Sequence, residues 1–98
     1  MAFIDEYDFE LLKNEAETIV IREIEQQLNS GHEDMCRCND CIVDIAAMTL
    51  NNIKPLYRFS ILGTLYAAQA MTEQVYADSV KNAVAEAIEK VKKNPAHD

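Results

Sequence analysis

Glycine and proline occur only twice each in this chain of 98 residues. Few turn residues, beside abundant Ala, Glu, Ile and Lys, argue for helices. Bases are also scarce. Nine Lys and Arg stand against seventeen Asp and Glu, for a formal charge of −8. A surface of that sign repels nucleic acid polymers and anionic membranes, so neither is expected as a partner. An anionic ligand is still possible in a local basic pocket. Wholly apolar runs reach only a few residues, too short to span a membrane. The start, Met1-Ala2-Phe3-Ile4-Asp5-Glu6, has no basic n-region and no apolar h-region, so no export signal is expected. The nucleophile and nucleotide signatures G-x-S-x-G, P-loop, H-E-x-x-H and G-x-G-x-x-G are missing. Any enzyme would have to be built on a metal alone, and the expectation is a non-enzymatic protein. At 98 residues, 49% of them hydrophobic, the chain has enough for one small globular domain over 1–98.

What is present is concentrated. All three cysteines fall within Met35-Cys36-Arg37-Cys38-Asn39-Asp40-Cys41, as C-x-C-x-x-C. Thiolates are strong ligands for zinc and other soft metals. Two residues apart in extended chain, Cys36 and Cys38 leave on the same side. Asn39-Asp40 reads as a helix start. Cys41 then falls in the first turn, where free N–H groups and the helix dipole lower a thiol pKa. A Cys36–Cys38 disulfide would be strained, and an odd cysteine count fits a secreted disulfide scaffold poorly. The expected site is zinc, ahead of iron–sulfur, in a reducing cytoplasm. A closed zinc site needs a fourth ligand. His32, His97, Glu33, Asp34 and water are all open choices on the residues alone.

Along the chain, Phe3 to Leu12 forms an acidic arm with apolar residues, fit to pack on a second subunit or to fray. A first helix is expected from Asn14 to Leu28. Asn14 would cap it with Glu17 at N3, and Val20, Ile24 and Leu28 would be buried with Ile21 beside them. Gly31 is its left-handed terminator. A second helix runs from about Asp40 to Leu50, burying Ile42, Ile45, Ala46, Thr49 and Leu50. Asn51-Asn52 close it. Ile53-Lys54-Pro55-Leu56-Tyr57-Arg58-Phe59 reads as a proline-stiffened linker with two bases and two aromatics. Thr64 to Met71 is expected to be helical. A last helix from Thr72 to about Lys93 carries the stripe Val80, Val84, Ala87, Ile88 and Val91. The class is all-α, with about four helices and a Cys-rich zinc loop. A chain this small has little room to bury every stripe alone, so a homodimer through the last helix, with Val80, Val84 and Val91 at the contact, is expected.

Five stretches together resemble the ComFB family of small bacterial late-competence proteins. They are Asn14-x-x-Glu17-x-x-Val20, Cys36-x-Cys38-x-x-Cys41-x-x-Asp44-Ile45, Leu50-Asn51, Pro55-x-Tyr57 and the ending Asn94-Pro95-Ala96-His97. The resemblance covers nearly the whole chain. One departure is visible: where relatives often read Pro-Pro-Arg-Tyr, this chain has Lys54-Pro55-Leu56-Tyr57, with the base displaced to Arg58. The resemblance implies a helical, symmetric homodimer with structural zinc on Cys36, Cys38 and Cys41. It favours His97, in the recurrent ending, as fourth ligand. It also implies a regulatory setting in competence, pili or motility, with either a protein partner or a cyclic dinucleotide (cyclic di-GMP or cyclic di-AMP) as ligand. For such a ligand, Arg37, Tyr57 and Arg58, with Lys54, are the available bases and stacking face.

Overall fold

The computed structural model describes residues 2–58 and 73–97. Two short 3-10 turns, Phe3–Asp5 and Phe9–Leu11, open the chain. There follow strand β1 (Lys13–Asn14), helix α1 (Ala16–Asn29), helix α2 (Asn39–Asn51), strand β2 (Tyr57–Arg58) and helix α3 (Gln74–Lys93). Among the described residues the fold is thus three α-helices with a small ladder, rather than purely helical. The helix expected at Thr64 to Met71 lies outside the described residues, as does Thr72.

The helices form because each carries one apolar face. Ala16, Val20, Ile24 and Leu28 are buried on α1, and Cys41, Ile45 and Thr49 on α2. Tyr76, Val80, Val84, Ala87, Ile88 and Val91 are buried on α3. These faces meet in one core, closed by Met35 and Leu56. Fully burying an aliphatic side chain is worth about 1.5–3 kcal/mol, so the α3 stripe is the largest single contributor. The stripe is consumed inside the chain: Val80, Val84 and Val91 are at most 1% exposed. A dimer contact through them, as expected above, is therefore excluded. The second helix also divides differently. Ile45 and Thr49 are buried, whereas Ile42, Ala46 and Leu50 are only half-buried.

Local signals were partly rerouted by tertiary contacts. Asn14 does not cap α1 in the expected box. It sits in β1, and its Oδ1 accepts the Ala16 N–H at 3.2 Å and the Leu56 N–H at 2.8 Å. The residue before α1 is Glu15, whose backbone N–H donates to the Leu56 carbonyl at 2.8 Å. Tyr57 and Arg58 of the expected linker thus form a strand, with Lys13 opposite Arg58 and Asn14 opposite Tyr57. The Tyr76 hydroxyl donates to the Lys54 carbonyl at 2.8 Å and fixes α3 to the same segment. At the end of α1, Gly31 takes a positive φ of +154°, which L side chains rarely adopt, and His32 follows it at φ +63°. Asn52 closes α2 without left-handed backbone (φ −114°); its side-chain amide donates to the Met48 carbonyl at 2.9 Å.

Asn14→Ala would leave the Leu56 N–H without its acceptor beside a buried side chain. It should cost about 1–3 kcal/mol in urea unfolding. Ile88→Ala, in the middle of the core, should cost about 2–5 kcal/mol in the same experiment.

Candidate metal centre

The loop after α1 enters α2 through Cys38, whose backbone is extended (φ −71°, ψ 164°) and whose carbonyl accepts the Ile42 N–H at 3.1 Å. Cys38 is therefore the residue before the helix, and Cys41 stands in its first turn, as the spacing predicts. Cys36 and Cys38 are half-buried and Cys41 is buried. After α3 the chain turns at Pro95 and brings His97 back across 61 positions. Its Nε2 lies 3.1 Å from Cys36 Sγ. The Ala96 N–H donates to the Cys41 sulfur. Lys92 on α3 reaches Asp34 of the loop at 3.5 Å, an exposed pair worth little by itself.

Cys36, Cys38, Cys41 and His97 each offer one donor atom, and all four lie within 4.8 Å of one another. Four donors around one tetrahedral zinc at about 2.3 Å would sit roughly 3.8 Å apart. The cluster is thus close to closing, and three thiols with one imidazole are a set that suits zinc chemistry. These residues could hold a metal ion. Of the open choices for a fourth donor, His97 is the one that converges. His32 stays away from the cluster, its Nδ1 buried without a hydrogen-bond partner.

The two sulfurs at the helix start are tuned in opposite directions. The Cys38 thiol is held below its usual range, mainly because the Cys41 N–H donates to it, with smaller help from its thiol neighbours and His97. Cys41 was expected to be the acidic thiol. Burial instead pushes it up to about 11, although Ala96 donates to it. The helix N-terminus acts on the residue outside it, while the residue inside the first turn points into the core.

The other singled-out residues lie elsewhere. Arg37 Nη2 donates to the carbonyls of Leu28, Gly31 and His32 at 2.9, 3.2 and 3.5 Å. The guanidinium thus satisfies carbonyls at the C-terminal end of α1. Arg58 and Tyr57 are at the other end of α1, about 20 Å away by helix length. Arg58 pairs through Nε with Glu15, and Tyr57 is 56% exposed. With Lys13, Glu15 and Glu17 they line a cleft of ≈ 670 Å³. Within one chain Arg37 does not join them. Lys13 was missed as a base of this cleft; its position opposite Arg58 in the ladder follows only from the β1–β2 register.

Metal binding must displace thiol protons, so affinity should fall as pH falls. Titration with zinc at pH 6 and pH 8 should show this, together with proton release into a weakly buffered solution. The metal-free fold has the opposite sign. A raised thiol pKa favours folding while the thiol is protonated. For Cys41 that contribution is whole below about pH 9, its ordinary value, and is lost as pH rises toward about 11. Whatever helical structure survives chelation should therefore melt at lower temperature over that window, and Cys41→Ala should flatten the drop.

No curated protein matches this sequence. Among solved structures, the chain is similar to the late competence protein ComFB from Bacillus subtilis, at 24% identity, covering 86% of this chain and 93% of that one, with a TM-score of 0.61. At that identity the likeness speaks for the fold. A family profile described as late competence development protein ComFB matches residues 13–95, which takes in both ladder strands, all three helices and the cysteine cluster. The chain belongs to the ComFB family.

Proposed function

We propose that this chain is a non-enzymatic regulatory protein of the cytoplasm, stapled by structural zinc and acting as a homodimer in a late-competence setting. The observation that carries the reading is the convergence of Cys36, Cys38, Cys41 and His97 from two stretches far apart in the sequence. Four protein donors leave no open coordination position, which is the pattern of a structural rather than a catalytic zinc. When bound, zinc would tie the tail after α3 to the start of α2. Cys38 and Cys41 hold the helix start and His97 holds the tail. No helix among the described residues is long and apolar enough to cross a membrane.

The ligand assigned to this reading is a cyclic dinucleotide in the cleft beside the ladder. Tyr57 offers a broad exposed face for stacking, and Arg58 and Lys13 offer positive charge for phosphate. The competing reading, a protein–protein adaptor with no nucleotide ligand, is favoured by one observation: Arg58 is already paired with Glu15.

The purified protein should carry about one zinc per chain. Cys38→Ser should lose metal and helicity together, because structural zinc binding is coupled to folding. Removing residues 94–98 should weaken zinc binding. Unchanged circular dichroism after chelation would sink the staple. Titration calorimetry with cyclic di-GMP and cyclic di-AMP on the zinc-loaded protein decides between the two readings. Binding should weaken by about 1–3 kcal/mol in Tyr57→Ala if the ring stacks on a base. It should weaken clearly in Arg58→Lys, which keeps charge without the planar fork. Absence of heat and of thermal shift with either nucleotide would leave the adaptor reading.

A further inference from the structure

The acidic arm, residues 2–12, lies ahead of the stretch matched by the family profile, which begins at residue 13. The shared fold therefore does not account for what the arm carries. Phe3, Ile4, Tyr7, Phe9, Leu11 and Leu12 are each at least 50% exposed, and they are six of the ten large apolar side chains left exposed among the described residues. Scattered singly, such side chains are ordinary; gathered on one short segment, they mark a contact surface.

The arm is also folded before it meets anything. Its 3-10 turns close within it: the Asp5 N–H donates to the Ala2 carbonyl at 3.0 Å, and the Leu12 N–H to the Phe9 carbonyl at 3.1 Å. Asp8 Oδ1 accepts the Glu10 N–H at 3.1 Å. Three rings pack on one another, with the Phe3 and Tyr7 centroids 4.8 Å apart and Phe9 6.4 Å from each. A knob ordered in advance loses less entropy on docking. Aromatic side chains bury about 150–250 Å² each, so three supply roughly 450–750 Å², close to the ~800 Å² that each partner gives to a standard interface.

The sign of the charge selects the partner. Residues 1–12 hold Asp5, Glu6, Asp8 and Glu10 and no base. Among the described residues no ion pair takes up any of these acids. The arm thus carries −4 of the formal −8, and residues 13–98 carry the other −4, from nine bases against thirteen acids. An acidic body repels the arm, whether that body is its own or a second copy's. The lysines at the end of α3 do not reverse this. Lys92 already faces Asp34 and Glu89, and Glu86 and Glu89 stand among Lys90 and Lys93. Arg58 is paired with Glu15. Anionic lipid is repelled likewise.

We propose that the arm is a docking knob for a different protein, one that presents an apolar stripe bordered by lysine and arginine, as a basic amphipathic helix does. Phe3, Tyr7 and Phe9 enter the stripe, and the four acids pair with its borders. This goes beyond the zinc staple and the cleft, and it holds whichever ligand the cleft takes.

The test uses the full zinc-loaded chain and a defined probe, a synthetic leucine–lysine peptide with its leucines at helical spacing. Titration calorimetry should show binding. Serine in place of the probe's leucines should weaken it at least about tenfold, since only charge then remains. Phe3→Ser with Phe9→Ser should also weaken binding at least about tenfold. So should Asp5→Asn, Glu6→Gln, Asp8→Asn and Glu10→Gln made together. All six residues are exposed, so zinc content and circular dichroism should match the wild type. Salt at about 0.3 M should weaken the wild type more than the neutralised variant. A wild type that does not bind the probe overturns the proposal. Binding indifferent to both sets of substitutions also overturns it, because the peptide then sits on the acidic body. If Phe3→Ser with Phe9→Ser instead changes the sedimentation of the chain alone, the arm packs on a second copy. If that variant loses an affinity of the wild type for phosphatidylcholine vesicles, the arm seats on lipid. Either result overturns the proposal, and none of them alters the titration with cyclic dinucleotides.

Discussion

The convergence of three thiols and one imidazole constrains everything around it. Cys36 and His97 lie 61 positions apart, so the chain between them must leave and return to the same point. Helix α3 performs the return. Twenty residues long, it spans about 30 Å, and its buried stripe fixes its rotation against α1 and α2. Lys92 and the turn at Pro95 then deliver the tail. The hydrophobic core and the donor cluster are one construction, since Cys41 belongs to both.

That shared membership explains the split between the sulfurs. Cys41 is buried with the core and is disfavoured as a free thiolate. Cys38, outside the helix and supplied with a backbone donor, is favoured as one. A metal cation would resolve the conflict, because a coordinated thiolate is no longer an unpaired buried charge. Arg37 stands between these two cysteines in sequence but reaches the opposite way, onto the end of α1. The loop is thereby clamped at both ends: by Arg37 to the helix it leaves, and by the cysteines to the helix it enters.

The ladder performs a second closure at the far end of α1. Asn14, Leu56 and Tyr57 join the start of the first helix to the segment after the second, and Tyr76 ties α3 to the same place. The surface left over is of two kinds. One is a charged cleft with an exposed tyrosine. The other is the apolar groove of α1 and α2, where Ile21 and Val43 stay exposed.

The sequence by itself determined the three helices of the described residues and the donor types. Helix stripes repeat at 3.6 residues and depend on local geometry, so Val20, Ile24 and Leu28, and Val80 through Val91, were readable as buried faces. The cysteine spacing was readable for the same reason, since it needs only an extended pair and a helix start. Tertiary structure alone decided what each face meets. Periodicity says that a side is apolar, not whether its neighbour is the same chain, and so the α3 stripe was misassigned to a dimer contact. Asn14 and Cys41 were misread by the same limit. Each has a local preference that sequence reveals, for capping or for ionisation. Each was overridden by a group distant in sequence or by the dielectric of the core, which no local pattern encodes.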